Sequence, residues 1–288
     1  MCPMNKAKIR IWGPWAVITG ASSGIGHAFA WQLAELGLNL VLLGRRSEAL
    51  EGLATRLQQE HGIKTRVVAS DLSSPQGNLP LFEATQDLDV GLLVAAAGYG
   101  SSGRFLTQGL VEEMEMVDVN CKAVLEQAWY YGHCFKARGG GAMILFGSVL
   151  GFQGVPLSAN YAATKAYVQS LAEALRWEWR LFGIDVLACA PGPVRTGFSK
   201  RANMRMQVAI EPDVVAQESL MALGIQATVR PGWVSKVLGW SLAMAPRSLR
   251  VYIMGSVMRS MALAVAPHAA VKAPRFSNPS DKMDRGQS

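Results

Sequence analysis

The sequence is poor in cysteine and in charge. Its four cysteines, Cys2, Cys121, Cys134 and Cys189, are far apart in 288 residues and form no CxxC pair. This spacing excludes a zinc ribbon and a dense disulfide framework, so we expect reduced thiols in a cytoplasmic protein. Only 17% of the residues are charged whereas 50% are hydrophobic, which excludes a disordered chain and indicates a large buried core.

Uninterrupted hydrophobic runs of membrane-spanning length are also missing. Residues 11–34 and 139–164 carry no charge, yet Gly, Pro, Ser and Thr break both runs. Each contains a short apolar stretch, WAVIT or AMILF, followed by turn residues. Stretches of this length predict buried strands rather than membrane spans.

Acidic residues are absent between Glu218 and Asp281. Residues 219–288 hold 9 basic and 2 acidic residues, whereas residues 1–218 hold 19 of each, so the whole net charge of +7 is C-terminal. The basic residues lie among Trp, Leu, Met and Val, and the sequence has no base-reading module. We therefore expect no nucleic-acid partner.

This composition defines a C-terminal extension, residues 231–271, which Pro246 and Pro267 divide into short helices. Three interpretations are open. The extension packs over a substrate cleft or a subunit interface, lies on an anionic membrane surface, or crosses a membrane. Residues 272–288 lack apolar periodicity, and we expect them to be disordered.

Strand-like and helix-like segments alternate through residues 12–230, which we expect to form one nucleotide-binding and catalytic domain. This alternation predicts right-handed crossovers and a parallel sheet with helices on both faces. The fold class is α/β, a Rossmann-type doubly wound sheet of about seven strands followed by the helical extension. Helical periodicity marks residues 48–60 and 161–182, and strand-like runs occupy residues 15–19, 39–43, 65–69, 91–95, 142–146 and 185–190.

A glycine turn follows the first strand and precedes a helix. Glycines allow a tight turn and the close approach of a pyrophosphate to backbone N–H groups, while the helix N-terminus favours the anion. The pattern predicts a dinucleotide site, although a tight turn with nothing bound is an alternative. The cofactor-binding residues expected here are Gly20, Ser22, Ser23, Gly24, Ile25 and Gly26.

The second strand ends in Gly44-Arg45-Arg46, where an NAD-selective fold has an acidic residue for the ribose 2′-hydroxyl. No Asp or Glu lies between Glu35 and Glu48. Arg45, with Arg46 beside it, can instead neutralise a 2′-phosphate, because guanidinium groups bind phosphate well. The sequence therefore favours NADP(H) over NAD(H), with a solvated arginine loop as the alternative.

A tyrosine and a lysine share one face of a predicted helix. Ser148 ends a strand-like run, and Tyr161-Ala-Ala-Thr-Lys165 follows it at i, i+4 spacing. An adjacent ammonium group favours the phenolate, which makes the tyrosine a candidate acid-base catalyst near neutral pH. Alone, this spacing is also typical of an ordinary helix surface.

Together, these motifs resemble the short-chain dehydrogenase/reductase family in order and spacing. The resemblance covers about residues 12–230, and the apolar basic extension is similar to that of members that handle steroids or other lipids. The matching elements are TGASSGIG at residues 19–26, Asp71-Leu72, Asn120, Ser148, YAATK at residues 161–165 and PGPVRT at residues 191–196.

The resemblance implies a role for each matching residue. Tyr161 would donate or remove the hydroxyl proton, and Ser148 would hydrogen-bond the reacting oxygen. Lys165 would lower the pKa of the tyrosine and hold the nicotinamide ribose, while Asn120 would anchor a water in a proton relay. Further cofactor contacts are implied at Asp71, Leu72, Ala97, Gly98, Pro191, Gly192, Val194 and Thr196. No metal is expected.

One position departs from the family pattern. The family usually has Asn-Asn-Ala-Gly after the fourth strand, whereas this chain has Ala95-Ala96-Ala97-Gly98. Side-chain amides that would brace the sheet edge are missing. We expect reduced rigidity or a rewired hydrogen-bond network there, with activity retained.

The segment after Thr196 occupies the position where the family carries its substrate-covering loop. Flexible apolar side chains predict an apolar ligand, and basic ones predict an anionic group on it, while a solvated mobile loop is the alternative. The apolar candidates are Phe198, Met204 and Met206, and the basic ones are Lys200, Arg201 and Arg205.

The leading hypothesis is an NADP(H)-dependent oxidoreductase that interconverts a carbonyl and an alcohol on a hydrophobic substrate, steroid-like or long-chain acyl. The alternative is a non-catalytic NADP(H)-sensing protein that acts through its C-terminal segment. By analogy with the family, we expect a homodimer or homotetramer formed through helices at residues 111–135 and 161–182.

Overall fold

Seven parallel strands form a single sheet in the order β3-β2-β1-β4-β5-β6-β7. The computed structural model describes residues 12–202, 204 and 208–261. This topology confirms the predicted Rossmann-type sheet, and the six strand-like runs lie within one residue of the observed strands. The strands are β1 (Trp15–Thr19), β2 (Asn39–Gly44), β3 (Thr65–Ala69), β4 (Val90–Ala95), β5 (Gly141–Phe146), β6 (Ile184–Cys189) and β7 (Thr228–Val229).

Helices cover both faces of the sheet because successive strand residues point to opposite faces. In β2, Leu40 and Leu42 join one apolar core, whereas Val41 and Leu43 join the other. The helices are α1 (Gly24–Glu35), α2 (Ser47–His61), α3 (Leu79–Glu83), α4 (Leu110–Val117), α5 (Ala123–Arg138), α6 (Ala159–Glu178), α7 (Phe198–Arg201), α8 (Pro212–Ala222), α9 (Trp233–Ala243) and α10 (Arg247–Met261). Single 3-10 turns lie at Phe105–Thr107, Val149–Phe152 and Arg180–Phe182.

The segment predicted as one helix over residues 111–135 is interrupted. One turn of π-helix, Asp118–Lys122, separates α4 from α5. A π turn inserts one extra residue into the helix and turns a side chain in a new direction, and such turns are frequent at functional sites. Here the turn buries Val119 and Asn120, and Asn120 is the polar one.

The C-terminal helices α9 and α10 pack beside the sheet's carboxyl edge. They are separated at Pro246, as predicted from the sequence, and their buried side chains form a third apolar cluster. Leu242, Met254 and Met258 pack there with Val155 and Ala162. No helix in residues 12–202, 204 and 208–261 is long and apolar enough to cross a membrane. Pro267 and the predicted tail, residues 272–288, lie outside the described residues, and the domain boundary at residue 230 stays a prediction.

We expect the Leu93→Ala substitution to lower the free energy of unfolding by about 2–5 kcal/mol, because it leaves a cavity under the central strand β4. Leu93 is fully buried. The matched Leu181→Ala substitution, at a side chain that is 92% exposed, should alter the free energy of unfolding by less than about 0.5 kcal/mol. Urea denaturation of both variants measures the difference, and equal losses would contradict the assigned core.

Candidate active site

A cleft of about 500 Å³ opens at the carboxyl ends of the strands. In doubly wound sheets, ligands bind at this edge, where the strand order reverses, here between β1 and β4. The residues that line the cleft come from the glycine turn, the ends of β2 to β5, helix α6 and the segment after β6. A wider and more open depression lies beside Asn39 and Thr65, where β2 and β3 begin, away from the tyrosine and lysine of the sequence motif.

The glycine turn forms a backbone cradle. Gly20 and Gly24 have positive φ angles of 69° and 60°, which favour glycine. A Cβ atom on Gly26 would lie 2.5 Å from the Gly20 carbonyl oxygen, and one on Gly24 would lie 3.0 Å from Thr196 Cγ2. Helix α1 begins at Gly24, so its N-terminal N–H groups face the cleft. The cradle fits a dinucleotide pyrophosphate.

Two guanidinium groups line the cleft next to this cradle. Arg46 Nη2 donates to the carbonyl and hydroxyl oxygens of Ser22, each at 3.3 Å. Arg45 Nη1 lies 3.8 Å from Asp71 Oδ2. Burial raises the pKa of Asp71, but hydrogen bonds from Ser73 and the charge of Arg45 outweigh it and leave the pKa below its usual value. This corner of the cleft fits a phosphate on the adenosine ribose.

Tyr161 lines the cleft, and Ser148 lies beside it just after β5. Burial raises the pKa of Tyr161 to about 12, although the interaction with the Ser148 side chain acts to lower it. Ser148 Oγ accepts a hydrogen bond from the backbone N–H of Leu150 at 3.2 Å. With that acceptor position filled, the Ser148 hydroxyl can donate its proton to Tyr161 or to an oxygen beside it.

Lys165 lies one helical turn beyond Tyr161, as the motif predicts. Its Nζ donates to the carbonyl oxygen of Phe146 at 2.8 Å and lies 5.9 Å from the centre of the tyrosine ring. Burial lowers the pKa of Lys165 to about 8. The predicted lowering of the tyrosine pKa by this amine stays a prediction, because burial and the Ser148 hydrogen bond account for the Tyr161 pKa in this structure.

The side chain of Asn120 braces the loop after β4. Its Nδ2 donates to the Tyr99 carbonyl at 2.8 Å and to Thr164 Oγ1 at 3.1 Å, while its Oδ1 accepts from Tyr99 N at 3.1 Å. Thr19 Oγ1 accepts from Ala97 N at 3.0 Å. Asn120 and Thr19 thus hold the Ala-Ala-Ala-Gly loop by its backbone. The proton-relay role of Asn120 stays a prediction.

The segment after β6 is tied to the C-terminal extension. Gly192 N donates to Ser235 Oγ of α9 at 2.8 Å, and the Pro191 carbonyl accepts from Val149 N at 3.1 Å. Val194 bridges to Ile210 and is buried in the sheet core. The segment is therefore held from both sides, by the turn after Ser148 and by α9.

Most predicted cofactor residues line the cleft. Four of the predicted site residues do not line the cleft. They hold lining residues in place or lie just behind them, and they are Asn120, Ser148, Gly192 and Val194. Sequence reasoning missed further lining residues, most of which lie at the end of a strand or in the next loop, while Glu115 and Val119 lie on α4 and in the π turn. Besides Phe198 and Arg201, which were assigned to the substrate, these are Leu43, Gly44, Ser70, Ser73, Ala96, Tyr99, Glu115, Val119, Phe146, Gly147 and Gly197.

Helix α7 closes one side of the cleft. The Phe198 ring lies 5.5 Å from the Tyr161 ring, and the Arg201 guanidinium lies 4.2 Å from the Tyr99 ring. Met204 is buried in the third apolar cluster. The Lys200 side chain, Arg205 and Met206 lie outside the described residues.

We expect the free energy of unfolding of the native chain to rise, relative to that of a Lys165→Met variant, between about pH 8 and pH 10.5. In this window the unfolded chain keeps the Lys165 proton and the folded chain has released it, so rising pH favours the folded state. The full change is at most about 3 kcal/mol. Chemical denaturation at several pH values measures it.

The control for this experiment is Lys122→Met, which removes an exposed ammonium group and reports the background pH dependence. A native-minus-variant difference that is constant from pH 7 to about pH 10.5 would show that Lys165 keeps its proton in the folded chain.

Comparison with known proteins agrees with this geometry. Residues 14–207 match the model of the short chain dehydrogenase family. The chain is 32% identical over 229 residues to 7beta-hydroxysteroid dehydrogenase of Clostridium sardiniense, covering 78% of this chain and 88% of that protein. It is 31% identical over 239 residues to very-long-chain 3-oxoacyl-CoA reductase of Podospora anserina (79% and 70%). It is also 30% identical over 231 residues to inactive hydroxysteroid dehydrogenase-like protein 1 of Homo sapiens (78% and 70%).

Solved structures superpose on the fold over most of their length. A 7beta-hydroxysteroid dehydrogenase structure aligns with a TM-score of 0.79 and 29% identity, covering 85% of this chain and 98% of that one. A short-chain dehydrogenase of Sphingobium yanoikuyae in complex with NADPH aligns with a TM-score of 0.72 and 30% identity, covering 80% and 93%. With two thirds of its residues matched by the family model and the same seven-stranded sheet, the chain belongs to the short-chain dehydrogenase family.

Proposed function

We propose that this chain is an NADP(H)-dependent oxidoreductase that interconverts a carbonyl and an alcohol on a hydrophobic substrate. The observation that carries the proposal is the meeting of Tyr161, Ser148 and Lys165 at the deep end of a cleft whose other end has a glycine cradle and two arginines. An acid-base group and a dinucleotide site in one cleft are what hydride transfer requires.

The side chains divide the proton chemistry between them. When bound, the nicotinamide supplies or accepts the hydride. In the direction of reduction, Tyr161 donates its hydroxyl proton to the carbonyl oxygen of the substrate, and its raised pKa keeps that proton in place at neutral pH. Ser148 donates a hydrogen bond to the same oxygen and stabilises the charge that develops on it. Lys165, with a pKa of about 8, can return a proton to Tyr161.

The proposed coenzyme is NADP(H). Arg45 and Arg46 lie where the second strand ends, and Asp71, the nearest carboxylate, is already engaged by Ser73 and Arg45. Positive charge at this corner favours a 2′-phosphate over a 2′-hydroxyl. A structural neighbour that binds NADPH supports the same choice.

The proposed substrate is steroid-like or a long-chain acyl compound. Phe198 packs on the Tyr161 ring, and the third apolar cluster, which includes Leu150, Val155 and Met204, continues from there. Apolar walls beside the acid-base group fit a large hydrophobic substrate. The named activities of the hydroxysteroid and 3-oxoacyl-CoA relatives support these two classes.

We also propose that the chain forms a homodimer or homotetramer and touches a membrane only peripherally. Exposed apolar side chains lie along α4 and α5, and large patches of this kind mark interaction surfaces. This surface lies on one of the two helical segments expected at the interface, residues 111–135. Its exposed apolar side chains include Leu110, Val111, Met114, Leu125 and Trp129. The proposed membrane contact is through residues 231–271, and none of the helices described up to residue 261 is long and apolar enough to span a membrane.

A second candidate function is a non-catalytic NADP(H)-sensing protein of the same fold. It is favoured by the likeness to a human relative that is described as inactive. Such a protein would keep the glycine cradle and the arginines, but its activity would not depend on the tyrosine.

We expect the Tyr161→Phe substitution to lower kcat by about 10²- to 10⁴-fold in NADPH-dependent reduction of steroid ketones or 3-oxoacyl thioesters, because it removes the proton donor. NADPH binding, measured by fluorescence titration, should be unchanged. A stopped-flow assay of NADPH oxidation at 340 nm measures the rate. Full activity in this variant would contradict the assigned acid, and NADPH binding with no turnover by the native chain on either class would favour the sensor.

We expect the Arg45→Ala, Arg46→Ala double variant to bind NADPH about 10²- to 10⁴-fold more weakly and NADH about as well as the native chain. Each charge-assisted hydrogen bond to a phosphate contributes about 1.5–3 kcal/mol, and only NADPH has the 2′-phosphate. Titration with both coenzymes measures the ratio. The Arg56→Ala variant, on the exposed face of α2, is the control. An equal loss of affinity for both coenzymes would show that the arginines contact a part of the dinucleotide that NADH and NADPH share.

A further inference from the structure

Helix α9 exposes a row of apolar side chains to solvent. Trp233, Val237 and Trp240 of α9 are 68%, 57% and 75% exposed, and Met244, which caps the helix, is 79% exposed. Their spacing of four, three and four residues places them on one face of the helix. We call these four side chains the α9 stripe. An exposed stripe with two tryptophans is unusual for a surface that faces only water.

The opposite face of α9 is already occupied. Ser235 binds the backbone of Gly192, and Leu242 is buried in the third apolar cluster. The stripe therefore cannot turn inward without breaking the contacts that hold the segment after β6. Whatever covers the stripe must come from outside the fold of the described residues.

The charge around the stripe indicates the chemistry of what covers it. No acidic residue follows Glu218 before Asp281. Glu218 itself forms an ion pair with Lys236 at 2.8 Å, so that this pair is neutral. Helix α10 adds Arg247, Arg250 and Arg259. A segment that combines exposed apolar and aromatic side chains with basic residues and no acidic ones fits the interface of an anionic bilayer.

A second copy of the chain fits this surface less well. A symmetric dimer through the α9 stripe would bring the same acid-free helix pair on both copies together. The positive charges would then face like charges, which disfavours association. Anionic phospholipid instead supplies the missing negative charge.

We propose that the α9 stripe inserts at the surface of a bilayer that contains anionic phospholipid. This inference deepens the peripheral contact proposed above and rests on it. Leu242, on the buried face of α9, belongs to the same apolar cluster as Val155 and Ala162, and Ala162 follows Tyr161 in the chain, so the membrane-facing helix packs beside the catalytic region.

Co-sedimentation of the full chain with vesicles tests the proposal. The native chain should bind vesicles of phosphatidylcholine mixed with phosphatidylglycerol, and should bind phosphatidylcholine vesicles at least about tenfold more weakly. The Trp233→Ser, Trp240→Ser double variant should bind the mixed vesicles at least about tenfold more weakly than the native chain. The Arg247→Gln, Arg259→Gln variant should lose the preference for phosphatidylglycerol.

The matched control is Leu106→Ser, Ile225→Ser, which removes two apolar side chains that are 81% and 65% exposed elsewhere on the fold. It should bind vesicles as the native chain does. Thermal unfolding and NADPH titration of every variant show that the fold and the cofactor site are intact. Because vesicle binding needs no turnover, the test stands even if the proposed enzyme activity is absent.

Two results would overturn the proposal. The first is a native chain that does not bind the mixed vesicles, and the second is a double tryptophan variant that binds them as well as the native chain. Light scattering interprets the first result: if the assembly of the double tryptophan variant has a lower molar mass than that of the native chain, the stripe pairs with a second copy.

Discussion

The buried amine of Lys165 is the constraint on which the geometry of the cleft depends. Removing an ammonium group from water is costly, and here the Phe146 carbonyl at the end of β5 offsets part of that cost. This bond holds α6 against the sheet, so Tyr161, one turn earlier, is brought to Ser148 just after the same strand. A Cβ on Gly98 would lie 3.0 Å from Asn120 Oδ1 and 3.4 Å from the amine, so a larger residue there would crowd the Asn120 amide. The buried amine, although unfavourable in itself, thus aligns the acid-base groups.

The π turn solves a related problem on the other side of the cleft. Asn120 must reach both Thr164 of α6 and the backbone of Tyr99, and its side chain is fully buried. The extra residue in the turn directs the amide between these partners. Since the loop after β4 has alanines where the family has asparagines, this single amide and the Thr19 hydroxyl supply the polar contacts that hold it.

Apolar patterns predicted the sheet, its parallel order and the helices on both faces, because buried strands of five or six residues bounded by glycine and polar turns are strongly marked in the sequence. The glycine turn and the i, i+4 pair are also local patterns, and they correctly predicted that Gly24, Tyr161 and Lys165 share one cleft. The rest depends on contacts that no local pattern encodes. The contact of Arg201 with Tyr99 and the bond from Gly192 to Ser235 join residues far apart in the chain, so sequence spacing could not reveal them. The π turn at Asn120 is likewise not marked by any local pattern.

The bond between Gly192 and Ser235 also limits how separable the two parts of the molecule are. A Cβ on Gly192 would lie 2.6 Å from Ser235 Oγ, so the helix and the segment after β6 fit each other closely. A chimaera that exchanges the C-terminal helices between relatives would therefore change both the apolar wall and the loop expected to hold the nicotinamide. A substitution at Ser235 would therefore disturb the helix and the loop together, and a change of substrate range through this extension would need a compensating change in the loop it supports.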